Sequence, residues 1–156
     1  MRIGFGYDVH QITPDRPLWL GGICIPAPFG LAGHSDADVL IHALCDAILG
    51  AANLRDIGYH FPPVKGNEYE GIDSKILLRK TIALVREKGY EFVNCDCTIA
   101  AEAPKINPYI PQMQQCMAEC IGTSPDNISI KATTSEHLGF VGRKEGMSAY
   151  AVALLM

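Results

Sequence analysis

The hydrophobic pattern changes period several times along the chain, and each change marks an element. Residues 2–10 read as a first strand, and the apolar run 18–25, interrupted by Gly21-Gly22, reads as a small hairpin. After Gly33 the period becomes helical, with Val39, Leu40, Ala43, Leu44, Ala47, Ile48 and Ala51 on one stripe. Ser35 is the expected N-cap of this helix, with Asp38 three residues on. A second helix is expected over 74–88, with Ile82 and Val85 inward and Gly89 as a left-handed cap.

A strand follows over 90–100, rich in aromatic and β-branched residues, and Ala103-Pro104 breaks it. Pro108 opens a third helix running to residue 121, and Gly122 ends it. Two more strands are expected at 128–133 and 147–155, separated by a glycine-bearing loop. Residues 59–71, with Pro62, Pro63, Gly66, Asn67 and Gly71, read as a mobile surface loop. This order predicts one α+β domain over 1–156, a mixed four-stranded sheet with helices on one face plus a small hairpin. The sheet's other face needs cover, which predicts a homo-oligomer.

Composition narrows the partners. The chain has 156 residues, 48% hydrophobic and 19% charged, with a net charge of -4, so no basic surface is available for a nucleic-acid backbone. No run approaches the ~20 apolar residues of a membrane span, and no signal-peptide pattern opens the chain. The six cysteines form no C-x-x-C pair, so they read as free thiols of a reducing, cytoplasmic protein.

Candidate chemistry falls in two regions. In Asp8-Val9-His10, residues i and i+2 of a strand project to one side and can offer an oxygen and a nitrogen to one ion. A surface aspartate beside a satisfied histidine would present the same pair. On the first helix, Asp38, His42 and Asp46 form an i, i+4, i+8 polar stripe, which suits either a solvated face or a metal ligand with supporting carboxylates. In the second reading, Asp38 or Asp46 accepts the spare N–H of His42. Asp8, His10 and His42 would make a three-ligand site with an open fourth position, the pattern of catalytic zinc.

The second region lies at the ends of two later strands. The segment from Lys131 to Glu136 carries hydroxyls, backbone donors and one carboxylate, followed by Gly139, Gly142 and Arg143. Such groups can handle phosphate, with Glu136 able to hold Mg²⁺ or Mn²⁺, although a plain polar turn has the same composition. The small-residue loop from Ala100 to Lys105 would let a ligand approach the backbone.

With these residues assembled, the chain resembles the 2-C-methyl-D-erythritol 2,4-cyclodiphosphate synthase family along nearly its whole length. The matching blocks include Gly6-Tyr7-Asp8-Val9-His10, Ala32-Gly33-His34-Ser35-Asp36-Ala37-Asp38, His42-Ala43, Asp56-Ile57-Gly58, Phe61-Pro62, Asp73-Ser74, Ala103-Pro104-Lys105, Lys131-Ala132-Thr133-Thr134 and Leu138-Gly139-Phe140. The resemblance implies that Asp8, His10 and His42 hold Zn²⁺, and that Glu136 helps hold Mg²⁺ or Mn²⁺ between substrate phosphates. It implies that the 2-phosphate of a CDP-bearing methylerythritol attacks the β-phosphorus and expels CMP. His34 and Thr134 would stabilise the transition state, with Ser35 on the phosphates.

By the same resemblance, Asp56, Ile57, Gly58 and Phe61 would line the methylerythritol pocket. Residues 101–107, among them Ala101, Lys105, Ile106 and Asn107, with Thr133 and Thr134, would serve the cytidine, and Phe140 and Arg143 would complete the substrate contacts. A homotrimer with active sites at subunit boundaries is implied. Two departures stand out: Phe61-Pro62-Pro63-Val64-Lys65 lacks the aspartate that many relatives carry after Phe-Pro, and Tyr150 replaces a carboxylate that in some relatives faces an arginine near the trimer axis. Two other readings remain open, a zinc-dependent phosphate-ester hydrolase and a non-enzymatic trimer that binds metal or isoprenoid.

Overall fold

The computed structural model describes residues 1–63, 66 and 68–156. Val64, Lys65 and Asn67, which belong to the expected 59–71 loop and to the departure noted above, lie outside the described residues. The strands are β1 (Arg2–Thr13), β2 (Leu18–Leu20), β3 (Ile23–Ile25), β4 (Gly30–Leu31), β5 (Phe92–Ala100), β6 (Ile128–Thr133) and β7 (Gly146–Leu155). The α-helices are α1 (Val39–Ala51), α2 (Ile57–His60), α3 (Ser74–Glu87), α4 (Ile110–Ile121) and α5 (Gly139–Gly142).

The sheet has five strands, in the order β4-β1-β7-β5-β6, and is mixed: β5 and β6 run parallel and the other neighbours antiparallel. The expected four strands are all present. The fifth, β4, was not anticipated because Gly30 and Leu31 are too short a run to show a period; they pair with Thr13 and Ile12 at the extended end of β1. The hairpin β2–β3 stands apart, and Gly21 and Gly22, with φ of 58° and 80°, make its two-residue turn.

Helix α1 is buried nearly all round, because the sheet lies under it and α3 packs beside it. Its close approach to β1 depends on Gly4 and Gly6. A Cβ at either position would sit 1.9 Å from the carbonyl oxygen of Ala47 or Ala43. The alternation along β1 thus places glycines under the helix, while Ile3, Phe5, Tyr7 and Val9 stay exposed on the opposite face. Tyr150 and Val152 of β7 join that bare apolar face, with Tyr150 packed against Tyr7 at 5.1 Å between ring centroids.

Two helix starts differ from expectation. Asp38, not Ser35, caps α1, its side chain accepting from Ile41 N at 3.0 Å. The same carboxylate accepts from Gly21 N and Gly22 N, so it ties α1 to the hairpin turn. Ala37 has a φ of 59°, and the chain reverses there before the helix can begin. Pro108 opens a 3₁₀ turn over Asn107–Tyr109, and α4 starts only at Ile110. Gly122 and Gly89 are left-handed after their helices as expected. All six cysteines are free thiols, four of them buried. Among the described residues, no helix is long and apolar enough to cross a membrane.

Candidate active site

Strand β1 directs Asp8 and His10 to the side covered by α1, and α1 delivers His42 to the same point. Asp8 Oδ2 lies 2.9 Å from His10 Nε2 and 3.1 Å from His42 Nδ1, and the two ring nitrogens are 3.1 Å apart. Three ligand atoms so close, one oxygen and two nitrogens, suit a divalent cation with a position left open, and the site faces a cavity. The other nitrogen of His10, Nδ1, contacts Ala32 O at 2.7 Å, which turns Nε2 toward the cluster.

Burial pushes the Asp8 carboxyl up, but the hydrogen bonds and charge of His10 and His42 outweigh it and hold the group at about 2. Burial likewise opposes a charge on His10, yet the Asp8 contact raises it above the ordinary imidazole value.

The expectation that Asp38 or Asp46 receives the spare nitrogen of His42 is corrected by the geometry. His42 Nε2 meets Ser74 Oγ at 2.9 Å and Ser35 Oγ at 3.2 Å. Asp38 is committed to three backbone N–H groups, and Asp46 Oδ1 accepts from Ile57 N at 2.8 Å, anchoring α2. Burial raises both carboxyls, with their backbone donors pulling the other way. Ser74 and its neighbour Asp36 had no chemical role in the sequence reading, because Asp73-Ser74 looks like an ordinary helix start, and Asp73 does cap α3.

The cavity over the cluster, about 200 Å³, is lined by Asp8, His10, His34, Ser35, His42, Ile57, Gly58 and Phe61, joined by Pro63, Tyr69, Ile72 and Leu77. Arg16 donates to the carbonyls of Gly33 and Ser35, bracketing His34. Asp56 is not on the cavity wall; its Oδ1 caps α2 by accepting from Tyr59 N.

A second cavity, about 420 Å³, opens beyond the ends of β5 and β6 and brings together Ala101, Lys105, Ile106, Asn107, Thr133 and Thr134. Glu136 stands beside it, its Oε1 accepting from Thr134 Oγ1 at 2.9 Å. Glu102 Oε1 accepts from Ser135 N at 3.0 Å and His137 N at 3.3 Å, stapling one loop to the other across two left-handed residues, Glu136 and His137. Burial works against the Glu102 charge, but these N–H groups hold its carboxyl below the usual range. Glu102 falls within the 101–107 stretch expected at the cytidine, but a single carboxylate in a loop carries no pattern that would mark it as a staple between loops.

Phe140 lies in neither cavity; it lines a groove with Val9, His10, Gln11, Glu145 and Gly146. Arg143 is exposed and forks Glu145 through two contacts of 2.8 and 3.2 Å. The two cavities open at the same end of the sheet, since Val9, Ser148, Ala100 and Thr133 are in register. Three strand spacings, roughly 14 Å, separate them within one chain.

The chain is similar to known proteins over essentially its whole length. A sequence model of the YgbB family matches residues 1–156. The 2-C-methyl-D-erythritol 2,4-cyclodiphosphate synthase of Parabacteroides distasonis is 64% identical over 99% of this chain and 96% of its own, and that of Bacteroides fragilis 61% over 99% and 97%. A solved 2C-methyl-D-erythritol-2,4-cyclodiphosphate synthase in a CDP-bound form superposes with a TM-score of 0.91 at 34% identity, covering 99% of this chain and all of that one. The bifunctional IspDF of Campylobacter jejuni superposes at 0.95 with 42% identity, this chain matching 42% of its length. With model, relatives and fold coinciding over essentially the whole chain, the protein belongs to the YgbB family, the family of these cyclodiphosphate synthases.

Proposed function

We propose that the protein converts 4-diphosphocytidyl-2-C-methyl-D-erythritol 2-phosphate to 2-C-methyl-D-erythritol 2,4-cyclodiphosphate and CMP, as a phosphorus–oxygen lyase of isoprenoid biosynthesis in the cytoplasm. The observation that carries this is the convergence of Asp8, His10 and His42 beneath a cavity walled by His34, Ser35, Ile57 and Gly58. Asp8, His10 and His42 would hold Zn²⁺, and Glu136 Mg²⁺ or Mn²⁺; when bound, these ions supply Lewis-acid polarisation and charge neutralisation at phosphorus.

The chain's own work is alignment. Ile57, Gly58 and Phe61, with α2 pinned by Asp46 and Asp56, grip the methylerythritol so that its 2-phosphate lies in line with the β-phosphorus. His34 and Ser35 face the same cavity and offer donors to phosphate oxygens. Residues 101–107 with Thr133 bind cytidine through small side chains and backbone, and Thr134 donates to the developing charge. Phe140 and Arg143 contact substrate only if a neighbouring subunit brings it to them.

A homotrimer answers two features at once. It covers the bare face of Ile3, Phe5, Tyr7, Val9, Tyr150 and Val152, and it lets one subunit's cytidine cavity face another's metal cluster, which the separation within a single chain prevents. The test is ³¹P NMR of the protein with Zn²⁺, Mg²⁺ and the CDP-methylerythritol 2-phosphate, beside a His42→Ala control. Cyclic diphosphate and CMP should appear together, and the variant should be slower by about a thousandfold. Open-chain phosphate would instead assign a hydrolase, and no turnover by folded, metal-loaded protein would sink the assignment.

A further inference from the structure

His42 touches the cluster through one nitrogen only, so its usefulness depends on which nitrogen carries the proton. Nδ1 lies 3.1 Å from both Asp8 Oδ2 and His10 Nε2, and Nε2 lies 2.9 Å from Ser74 Oγ. A neutral imidazole with its proton on Nδ1 would aim an N–H at the position a cation needs. With the proton on Nε2, Nδ1 presents a lone pair.

A serine alone does not settle this, because its hydroxyl rotates and can donate or accept. Here the hydroxyl is not free to choose. Ser74 Oγ donates to Asp36 Oδ1 through a short contact, and the Ser74 backbone N–H donates to Asp36 Oδ2 at 2.8 Å. The carboxylate also accepts from Asp38 N at 3.1 Å, so it faces donors on both oxygens and has no proton to return. With its only proton spent on Asp36, Ser74 Oγ can meet His42 Nε2 only as an acceptor. Ser74 is fully buried and His42 is 6% exposed, so water does not compete for these contacts.

We infer that Asp36 and Ser74 are positioning residues that hold His42 in the Nε2–H tautomer and so keep Nδ1 available to a metal ion. This rests on the reading of Asp8, His10 and His42 as the metal site. The arrangement runs from carboxylate to hydroxyl to imidazole, and Ser35 Oγ, which accepts from Ala37 N at 3.1 Å, makes a second, longer contact of 3.2 Å with the same Nε2. It also ties the ligand to tertiary structure: Ser74 is the first residue of α3, and Asp36 N donates to Ile72 O, so the segment that closes the cavity and the metal ligand are held by the same contacts.

The Ser74→Ala variant is a clean probe, because the backbone N–H to Asp36 and the Asp73 cap of α3 both survive it. Zinc affinity, read by chelator competition on the full-length protein, should fall about 10- to 100-fold, while thermal melting of the metal-free protein stays cooperative. Asp36→Asn should weaken zinc similarly, since one amide oxygen cannot serve three donors. An independent readout needs no variant: a long-range ¹H–¹⁵N correlation spectrum of ¹⁵N-histidine-labelled, metal-free wild type should already show His42 protonated on Nε2 with Nδ1 bare, before any ion can impose that tautomer. A proton on Nδ1, or a Ser74→Ala zinc affinity within about twofold of wild type, overturns the proposal. If Ser74→Ala does not fold, the wild-type spectrum decides alone. Turnover is scored separately, so zinc-loaded wild type with the expected tautomer and no CMP release would refute the synthase reading and leave the positioning role intact.

Discussion

The two cavities at one end of the sheet are built on opposite plans. Around the metal cluster, Asp8, His10 and His42 hang from β1 and α1, and Asp38, Asp46 and Ser74 spend their polar atoms holding elements together. The cavity beyond β5 and β6 is made of loops: it presents Ala101, Lys105 and Thr133, and a single carboxylate, Glu102, links its two halves. The first region is preorganised to hold a small, highly charged ion, which tolerates little displacement. The second suits a larger ligand whose many contacts are individually weak, and for that a stapled loop is enough.

The comparison can be sharpened by removing one group from each side of the second cavity. Glu136→Ala should lower CMP release by about 100-fold while zinc content is unchanged, because only the second ion loses its carboxylate. Steady-state kinetics over a Mg²⁺ or Mn²⁺ titration, with zinc assayed alongside, checks this; unchanged turnover would remove Glu136 from the mechanism. Glu102→Ala should have a smaller effect, about tenfold on kcat/KM with a higher requirement for the second ion, because the turn bearing Glu136 loses its hold on the neighbouring loop. An effect confined to melting temperature, with metal requirement unmoved, would make Glu102 a stability residue only.

The smallest effect concerns protons in the first region. In the metal-free protein His10 is raised above the ordinary imidazole value and Asp8 held at about 2. Their pair adds stability that is full between the ordinary carboxylate and imidazole ranges. It is lost as pH falls toward about 2, and lost again as pH rises through the elevated His10 value. Zinc reverses the upper limb, since its ligands must be deprotonated. Metal-free protein should therefore melt about 2 °C lower at about pH 8 than at about pH 6, while zinc-loaded protein melts higher. Parallel curves for the two forms would show that His10 does not carry the difference.

Much of the fold was legible in the sequence because its elements have clear periods and punctuation. Helix α3 runs from Ser74 to Glu87 against an expected 74–88, and the hairpin pivots on Gly21-Gly22 as expected. The misses are elements whose signal is tertiary. The two residues of β4 are a strand only because β1 runs on to Thr13, and α2 forms where Asp46 and Asp56 take its first N–H groups. Ser35 looked like a cap because it precedes an apolar run, but the reversal at Ala37 hands that task to Asp38.

At the site, the residue types and their spacing brought forward Asp8, His10 and His42, because side chains two apart on a strand must share a face and metal chemistry draws on few residue types. Spacing along α1 also put Asp38 and Asp46 beside His42, and there it misled: helical proximity says which groups are near, not which donors reach them first. Sequence alone determined the longer elements, the ligand types and the apolar face left bare, since these follow from local periodicity and chemistry. The partner of each buried polar atom was decided only by tertiary structure. Whether His42 meets an aspartate or a serine depends on where α3 and the 34–38 turn come to rest, and that is settled by packing between segments more than thirty residues apart.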